Sequence, residues 1–300
     1  MTGSAAPFAL VLHGGAGVEP GRNYDRADAL LGRLILNGER RLRAGDSALD
    51  VVTEAVVEME ESGLFVAGRG AAPNTLGRVE LDASLMDGRD GRCGAVAALQ
   101  GVRSPILAAR AVMEQSSHVL MAGDGAARFA LDRGLAASPP LADWLRRPDG
   151  FDPADLHKSH GTVGAAALDQ HGGQAAATST GGTYDALPGR VGDSAVIGAG
   201  TWADQHAAIS CTGEGEAFIR VCAARSIAAR IAAGEPPGRA VEAVLEAVSA
   251  LGGDGGVILV TAGGAAEMRF NTPGMKRALV SFNQTAVTGT IGEALRPARP

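Results

Sequence analysis

The sequence predicts an α+β fold in which antiparallel sheets are covered by helices. Strand-like and helix-like patterns come in groups, rather than in the strict alternation that a doubly wound parallel sheet requires. The chain of 300 residues is 46% hydrophobic and 20% charged, so it can bury a large core. An irregular segment at residues 136–160 interrupts the fold near its middle.

The first half of the chain is predicted to begin with a buried strand. Phe8–His13 is an apolar run that ends in a glycine-rich turn. A helix is predicted next, because Asp46 or Ser47 can cap its start and the apolar residues that follow recur with a helical period. The other elements predicted here are the strands Val79–Met86 and Cys93–Leu99 and the helices Ser104–Gln115 and Asp124–Arg133.

The second half begins after a segment that we interpret as a linker. Ala136–His160 is rich in proline and aspartate and has little periodic hydrophobicity. Two predicted strands follow it, Thr162–Asp169 and Gln174–Thr180, and a glycine turn separates them. The further predicted elements are the strands Ala195–Ile197, Ala207–Cys211, Val257–Thr261 and Glu267–Asn271 and the helices Glu216–Ala233 and Pro237–Leu251.

Charge and cysteine content argue against several classes of protein. The net charge is −6, so the chain lacks the basic excess that binds nucleic acids or anionic membranes. Its three cysteines form no C-x-x-C pair, which is ordinary for a reducing compartment. The N-terminus lacks a signal-peptide pattern, and no apolar stretch is long enough for a membrane span. We therefore predict a cytoplasmic protein whose partner is a small molecule.

Two weak motifs suggest other functions. Residues 198–203 match the dinucleotide pattern G-x-G-x-x-A, but a strand pattern follows where that fingerprint needs a helix N-terminus. A dinucleotide-dependent oxidoreductase is therefore the weaker alternative. His157 and His160, with Asp152 and Asp155 nearby, can bind a divalent ion, although we interpret them as part of a solvated loop.

Small hydroxyl residues concentrate in four glycine-rich motifs after the linker. The preference of threonine for strands accounts for isolated residues but not for these clusters. The chain also lacks the usual nucleophile signatures of serine hydrolases. The motifs are Gly161-Thr162-Val163-Gly164, Thr178-Ser179-Thr180-Gly181-Gly182, Gly189-Arg190-Val191-Gly192-Asp193-Ser194 and Cys211-Thr212-Gly213-Glu214-Gly215-Glu216.

With three further motifs, these clusters resemble the isoaspartyl peptidase/L-asparaginase family, the plant-type branch of the N-terminal-nucleophile (Ntn) hydrolases. The further motifs are His13–Gly17, Glu80–Gly88 and Gly252–Gly256. The resemblance covers about residues 8–285 and lapses in the linker. It implies a four-layer αββα sandwich of the Ntn-hydrolase type, formed by a single domain over residues 1–300.

The resemblance implies that the chain cuts itself and that a threonine is the nucleophile. The hydroxyl of Thr162 would attack the carbonyl of Gly161, and hydrolysis would leave chains 1–161 and 162–300. The new α-amine of Thr162 would have a reference pKa near 8, so it can act as the general base. Two such αβ pairs would form a dimer.

The resemblance also implies roles for the remaining catalytic and binding residues. Thr180 would orient the nucleophile, and Thr212 with Gly213 would form the oxyanion hole. Arg190 and Asp193 would bind the α-carboxylate and the α-ammonium of the substrate. Their chemistry fits, because a guanidinium fork suits a carboxylate and an aspartate suits an ammonium. A salt bridge between these two residues is the structural alternative.

The implied activity is hydrolysis of L-asparagine to aspartate and ammonia, or of β-aspartyl (isoaspartyl) dipeptides to aspartate and an amino acid. No cofactor is expected in the catalysis. A glycosylasparaginase-like hydrolase is one alternative, but that branch typically has aspartate before its threonine, whereas this chain has Gly161. The other alternative is a homologue that binds an amino acid without hydrolysing it.

The resemblance further suggests a sodium-binding loop, with a helix C-cap and turn as the structural alternative. Backbone carbonyls would be the ligands, so side chains leave no signature and sodium is not distinguished from potassium. Val66 and the pair Asp185-Ala186 depart from residues frequent in relatives, which can shift leaving-group preference or maturation rate. The carbonyls are those of Met59, Glu60, Ser62, Phe65, Ala67 and Arg69.

Overall fold

The computed structural model describes residues 6–152 and 161–299, and its mixture of helices and strands confirms the α+β class. The helices are α1 (Asp25–Arg43), α2 (Ala48–Ser62), α3 (Pro105–Gln115), α4 (Gly123–Asp132), α5 (Leu141–Trp144), α6 (Gly215–Val221), α7 (Ala223–Ala232) and α8 (Pro237–Ala250). The strands are β1 (Ala9–His13), β2 (Leu81–Asp87), β3 (Cys93–Leu99), β4 (Leu120–Ala122), β5 (Val163–Leu168), β6 (Gln174–Thr180), β7 (Thr201–Ala203), β8 (Ala207–Gly213), β9 (Gly255–Thr261), β10 (Ala266–Phe270), β11 (Gly274–Ser281), β12 (Gln284–Ile291) and β13 (Arg296–Pro297).

The strands of the described residues form two sheets. The larger sheet has nine strands in the order β13-β12-β11-β1-β5-β6-β2-β3-β4, and the smaller has four in the order β10-β9-β8-β7. Within these sheets the neighbouring strands are antiparallel, apart from the parallel pair β3 and β4. β1, β5 and β6 therefore lie in the interior of the larger sheet, with other strands on both sides.

Alternate side chains of a central strand enter two different cores. Leu10 and Leu12 of β1 pack with residues of α1 and α2. Ala9 and Val11 point to the opposite face and pack with residues of the smaller sheet, as the two-residue period of a strand requires. A third core joins β8 and β9 to α6, α7 and α8. The alanines that dominate β5 and β6 are buried, and their small size lets neighbouring layers approach closely.

Two helices begin where their sequences predict. The hydroxyl of Ser47 accepts a hydrogen bond of 3.1 Å from the backbone N–H of Asp50, which satisfies one of the free donors at the start of α2. Ser104 occupies the same position before α3, and Pro105 follows as the first helical residue. The prediction of helix starts at these two serines is confirmed.

Two predicted elements are wrong. The strand predicted at Ala195–Ile197 is not formed, because a 3-10 turn at Asp193–Ala195 redirects the chain there and buries Asp193. The single helix predicted over Glu216–Ala233 is divided into α6 and α7 at Cys222. The φ angle of Cys222 is 48°, and a left-handed residue does not continue a right-handed helix.

Helix α1 and strands β11 and β12 have no counterpart among the predicted elements. α1 contains Gly32 and Gly38, and glycine lowers helix propensity. A side chain at Gly38 would overlap Leu10, and one at Gly32 would lie 2.7 Å from the carbonyl oxygen of Arg299. Close packing therefore requires the glycines that obscure this helix in the sequence.

Part of the predicted linker is held against the fold. It contains the single turn α5, whose Trp144 is buried. The backbone N–H of Arg146 donates to the carbonyl of Arg69 (2.7 Å), and that of Asp149 donates to the carbonyl of Leu64 (3.0 Å). These two bonds join Arg146 and Asp149 to the loop that follows α2.

The rest of the predicted linker, residues 153–160, lies outside the described residues. The ion-binding alternative falls there, since it needs Asp155, His157 and His160. Within the part of the chain that the structure describes, no group of histidine, cysteine and acidic side chains is placed to hold a metal ion. Nor is any helix of those residues long and apolar enough to cross a membrane.

Candidate active site

The pairing of β5 with β6 brings two threonines of the predicted site together. Val163, the first residue of β5, pairs with Ser179 in antiparallel register. Thr162 precedes Val163 and Thr180 follows Ser179, so both threonines lie at the same end of the strand pair. Each is only 4% exposed, so water reaches little of either residue.

Thr180 contacts the peptide bond that is predicted to break. In the uncut chain its hydroxyl donates a hydrogen bond of 2.6 Å to the carbonyl oxygen of Gly161. Thr180 is predicted to hydrogen-bond to Thr162. In the uncut chain its partner is instead the carbonyl of the preceding residue, Gly161. A donor at this oxygen stabilises the negative charge that develops there when a nucleophile attacks the carbonyl carbon. The N–H of Gly182 donates to the same hydroxyl (3.2 Å) and helps to fix its position.

The smaller sheet supplies the predicted oxyanion residues. Thr212 and Gly213 end β8, which packs against β5 and β6. Thr212 is 1% exposed, and its hydroxyl has no hydrogen-bond partner among the described residues. The φ angle of Gly213 is +144°, and a side chain there would overlap the carbonyl oxygen of Asp254. Only glycine therefore fits at this position, and a buried donor beside it is left free for a ligand.

Strand β2 holds the loop that carries the two predicted substrate-binding residues. Asp82 and Ser84 are spaced two apart in β2, so their side chains lie on one face of the strand, and Glu80 directly precedes it. Each of the three bonds to the backbone of residues 189–194, which fixes the loop at three successive points. The bonds join Gly189 N to Glu80 Oε2 (2.9 Å), Gly192 N to Asp82 Oδ2 (3.2 Å) and Ser84 Oγ to the carbonyl of Ser194 (2.6 Å).

Asp193 is a buried carboxyl group with a free oxygen. It is 3% exposed, and its Oδ2 atom has no hydrogen-bond partner among the described residues. Burial raises the pKa of Asp193 to about 7, while the positive charge of Arg190 opposes this increase. A buried carboxylate oxygen without a partner is costly, so this position is suited to a cationic donor from a ligand.

Arg190 forms its hydrogen-bonded ion pair with Glu216 rather than with Asp193. Its Nε and Nη2 atoms each lie 2.8 Å from a carboxylate oxygen of Glu216, in a bidentate arrangement. The Glu216 side chain is 57% exposed, so this pair is stabilised by at most about 1 kcal/mol and can exchange for another carboxylate. The predicted Arg190–Asp193 salt bridge is not the pairing found. Glu216 belongs to one of the quoted motifs, but its spacing gives no signal of this contact.

These residues surround one small cleft. Six of the predicted site residues line it, and Thr212 lies next to lining residue Gly213. Thr183, Gly182 and Gly192 also line the cleft, although no role is predicted for them. The lining residues are Gly161, Thr162, Thr180, Gly182, Thr183, Arg190, Gly192, Asp193 and Gly213.

Four further hydroxyl residues form a buried chain between the two sheets. It passes two residues from both Thr180 and Thr212, and it ends at a histidine. Burial lowers the pKa of His13 to about 3, with the backbone of Thr162 opposing the shift, so the ring is neutral at pH 7. Successive polar atoms lie within hydrogen-bond distance from Ser84 to Thr201 (2.8 Å), Thr178 (2.6 Å), Ser210 (2.7 Å) and His13 (2.9 Å).

The loop after α2, residues 63–70, contains several of the carbonyls that are predicted to bind sodium. A side chain at Gly68 would lie 2.6 Å from the carbonyl oxygen of Glu60, and one at Gly70 would overlap that of Phe65. Both carbonyls belong to the predicted ligand set, and each lies against a glycine that has no room for a side chain. The carbonyls of Ala67 and Arg69 each accept one backbone hydrogen bond, which leaves a second lone pair. Carbonyl oxygens with a free lone pair are ligands that a hard cation such as sodium accepts.

The dinucleotide pattern at residues 198–203 runs into strand rather than helix. β7 begins at Thr201 within the pattern, and β8 follows it. The fingerprint places a pyrophosphate at the N-terminus of a helix that directly follows the glycines, and this geometry is not found there.

Comparison with known proteins places the chain in the asparaginase family. The family model described as Asparaginase matches residues 6–290, so the chain belongs to this family. The isoaspartyl peptidase of Salmonella typhimurium is 43% identical, over 95% of this chain and 98% of its own length. The isoaspartyl peptidase of Escherichia coli is 44% identical over 95% and 96%. The human isoaspartyl peptidase/L-asparaginase is 39% identical over 85% and 87%. The predicted family is confirmed.

Gly164 is expected to be essential for the packing beneath the site. A side chain there would overlap the Ser210 hydroxyl and the His13 ring, so Gly164→Ala should destabilise the protein by about 1–3 kcal/mol. The matched control is Gly125→Ala, because Gly125 lies in α4 with open space around its α-carbon. The urea unfolding midpoint of each variant, compared with that of the wild type, measures the change in stability. Gly164→Ala with an unchanged midpoint would contradict this packing.

Proposed function

We propose that the protein is an N-terminal threonine amidohydrolase that releases aspartate from L-asparagine and from β-aspartyl dipeptides. The observation that carries the proposal is the cleft itself, which gathers Thr162, Thr180, Arg190, Asp193 and Gly213 around the Gly161–Thr162 bond. Relatives named isoaspartyl peptidase or L-asparaginase, at 43% identity in one case, support the substrate class.

Maturation is an acyl shift followed by hydrolysis. The Oγ1 atom of Thr162 attacks the carbonyl carbon of Gly161, and the hydroxyl of Thr180 stabilises the oxyanion. The C–N bond then breaks, the nitrogen takes a proton, and an ester joins Gly161 to the Thr162 side chain. Water hydrolyses this ester to a Gly161 carboxylate and a Thr162 residue with a free α-amine.

The mature site then acts by nucleophilic catalysis. The α-amine of Thr162 takes the proton of its own hydroxyl, directly or through a water molecule, while Oγ1 attacks the β-carbonyl of the substrate. Thr212 and Gly213 stabilise the oxyanion, and one such donor contributes about 3 kcal/mol to the lowering of the barrier. The leaving amine departs with a proton, and water hydrolyses the β-aspartyl ester.

Two charged residues select the aspartyl head group. Arg190 exchanges its exposed partner Glu216 for the α-carboxylate of the substrate and keeps the bidentate geometry. The free Oδ2 atom of Asp193 accepts from the α-ammonium group. The polar part of recognition therefore requires a free amino acid head, as both proposed substrate classes have.

We also propose the order of the layers, the assembly of the cleaved chains and their location in the cell. The arrangement of three cores supports a helix–sheet–sheet–helix order of layers, the αββα sandwich. Cleavage gives chains 1–161 and 162–300, which stay together as an αβ pair and dimerise in the cytoplasm. The carbonyls of the loop after α2 would hold a sodium ion, which would stiffen that loop, and we propose that catalysis itself needs no cofactor.

Removal of the nucleophile is the direct test of this function. Thr162→Ala is expected to remain one polypeptide of 300 residues and to lose activity by at least about 10³-fold, because both steps use the same hydroxyl. Activity is measured as ammonia release from L-asparagine and as aspartate release from β-Asp-Leu, and a denaturing gel measures cleavage. Thr162→Ser is the control and should still be cut. Activity in the alanine variant would refute the mechanism.

Substrate affinity is expected to depend on pH through Asp193. Its pKa is raised to about 7, so the carboxyl is neutral below that pH and binds the α-ammonium group only above it. KM for L-asparagine should therefore fall up to about tenfold per pH unit as the pH rises toward 7, and then level off. Asp193→Asn should have a higher KM without this slope. A wild-type KM that stays constant between about pH 6 and pH 8 would exclude the assignment.

A further inference from the structure

The buried chain of hydroxyl residues that ends at His13 joins the two sheets beneath the site. Its members come alternately from the larger and the smaller sheet, so each of its hydrogen bonds crosses from one sheet to the other. Every member is fully buried, where a hydrogen bond is stronger than one exposed to water. In order, the members of this cross-sheet row are Ser84 of β2, Thr201 of β7, Thr178 of β6, Ser210 of β8 and His13 of β1.

Thr178 is the centre of the cross-sheet row. Its hydroxyl oxygen lies 2.7 Å from that of Ser210 and 2.6 Å from that of Thr201. It also lies 3.2 Å from the carbonyl oxygen of Gly200, which directly precedes β7, so all three contacts hold β6 against the smaller sheet. Gly164 of β5 leaves room for the row, because a side chain there would overlap the Ser210 hydroxyl.

The bond between Thr178 and Ser210 lies next to the catalytic ends of both strands. Thr178 and Thr180 are two residues apart in β6, so their side chains share the face that meets the smaller sheet. Ser210 and Thr212 are likewise two apart in β8 and share the face that meets the larger sheet. The bond therefore sets how closely β6 and β8 approach beside Thr180 and Thr212.

The groups proposed for chain cleavage and head-group binding are attached to the larger sheet. Thr162 directly precedes β5, Thr180 ends β6, and these two strands are neighbours in that sheet. The Thr180 hydroxyl lies 2.6 Å from the carbonyl oxygen of Gly161 already in the uncut chain. The loop with Arg190 and Asp193 is bonded to β2 and to the residue before it, and β2 is also a strand of the larger sheet.

The proposed oxyanion donors for substrate hydrolysis are attached to the smaller sheet instead. Thr212 and Gly213 end β8, whereas the nucleophile Thr162 stands at the start of β5. The distance from the nucleophile to these donors therefore depends on the spacing between the sheets. A misplacement of about 1 Å in such an arrangement can slow a reaction about 10²-fold.

We propose that Thr178 and Ser210 are positioning residues for substrate hydrolysis, because their bond fixes the spacing between the nucleophile in one sheet and the oxyanion donors in the other. Hydrolysis needs both sheets at this spacing, whereas cleavage of the Gly161–Thr162 bond needs the larger sheet alone. Loss of the bond therefore slows hydrolysis and leaves cleavage and KM nearly unchanged. This inference rests on the proposed function and adds two residues to its machinery.

Thr178→Val tests the proposal, because valine keeps the shape of threonine and removes its hydroxyl. The kcat for L-asparagine, expressed per cleaved chain, is expected to fall about tenfold or more, while KM stays within about twofold of the wild-type value. Chain cleavage is followed on denaturing gels during cell-free synthesis. Its half-time should stay within about twofold of that of the wild type, because the Thr180 donor is kept.

Three further variants complete the test. Thr178→Ser keeps the hydroxyl and should retain kcat within about threefold of the wild type. Thr53→Val removes another buried hydroxyl, which donates to the carbonyl of Leu49 within α2 (2.7 Å), and it should leave kcat and cleavage at wild-type values. Ser210→Ala removes the other partner of the same bond and should cause the same selective loss of kcat, so it decides the proposal where Thr178→Val does not fold.

An unchanged kcat in Thr178→Val and Ser210→Ala would overturn the positioning role. Equal slowing of hydrolysis and cleavage would also overturn it, because that result indicates a general loss of packing. Both results leave the proposed function intact, since the wild type is still cut and active. A wild type that is neither cut nor active would instead refute the proposed function.

Discussion

The antiparallel pairing of β5 with β6 is the constraint on which the site depends. It sets Thr162 beside Thr180, and it places the Thr180 hydroxyl 2.6 Å from the carbonyl oxygen of Gly161. The remaining residues of the candidate site are positioned relative to these two strands. The smaller sheet brings Thr212 and Gly213 from the opposite side, and β2, the next strand after β6, anchors the loop with the charged residues. A shift of the register by one residue would reverse the faces of the strand and separate these groups.

The site depends on glycines at positions with no room for a side chain, and on buried polar groups that lack hydrogen-bond partners. Gly161, Gly164 and Gly213 each adjoin atoms that leave no room for a side chain, which accounts for part of the high glycine content. Asp193 and Thr212 are buried with polar atoms that have no partner among the described residues. Such atoms cost folding free energy, and this cost is recovered when a substrate supplies the matching groups. The site therefore contains unpaired buried polar atoms, although the sheets around it are well packed.

Local patterns predict most of the central strands and the capped helices, because burial and capping leave a periodic signal. They do not predict α1, where Gly38 serves close packing, or the break at Cys222, whose left-handed φ angle of 48° ends α6. The candidate site residues could be predicted from the sequence because they lie in short motifs. The pairing of Arg190 with Glu216 and the contact of Val66 with Gly161 join residues far apart in the chain, and no spacing in one sequence reveals them.

The proposed function requires that the bond between Gly161 and Thr162 breaks and makes Thr162 an N-terminal residue. N-terminal sequencing of the purified wild-type protein tests it most directly. We expect a second sequence that begins Thr162-Val163-Gly164, in equal amount to that of the first chain. A single intact chain in a preparation that hydrolyses L-asparagine, or a second chain that begins at any other residue, would contradict it.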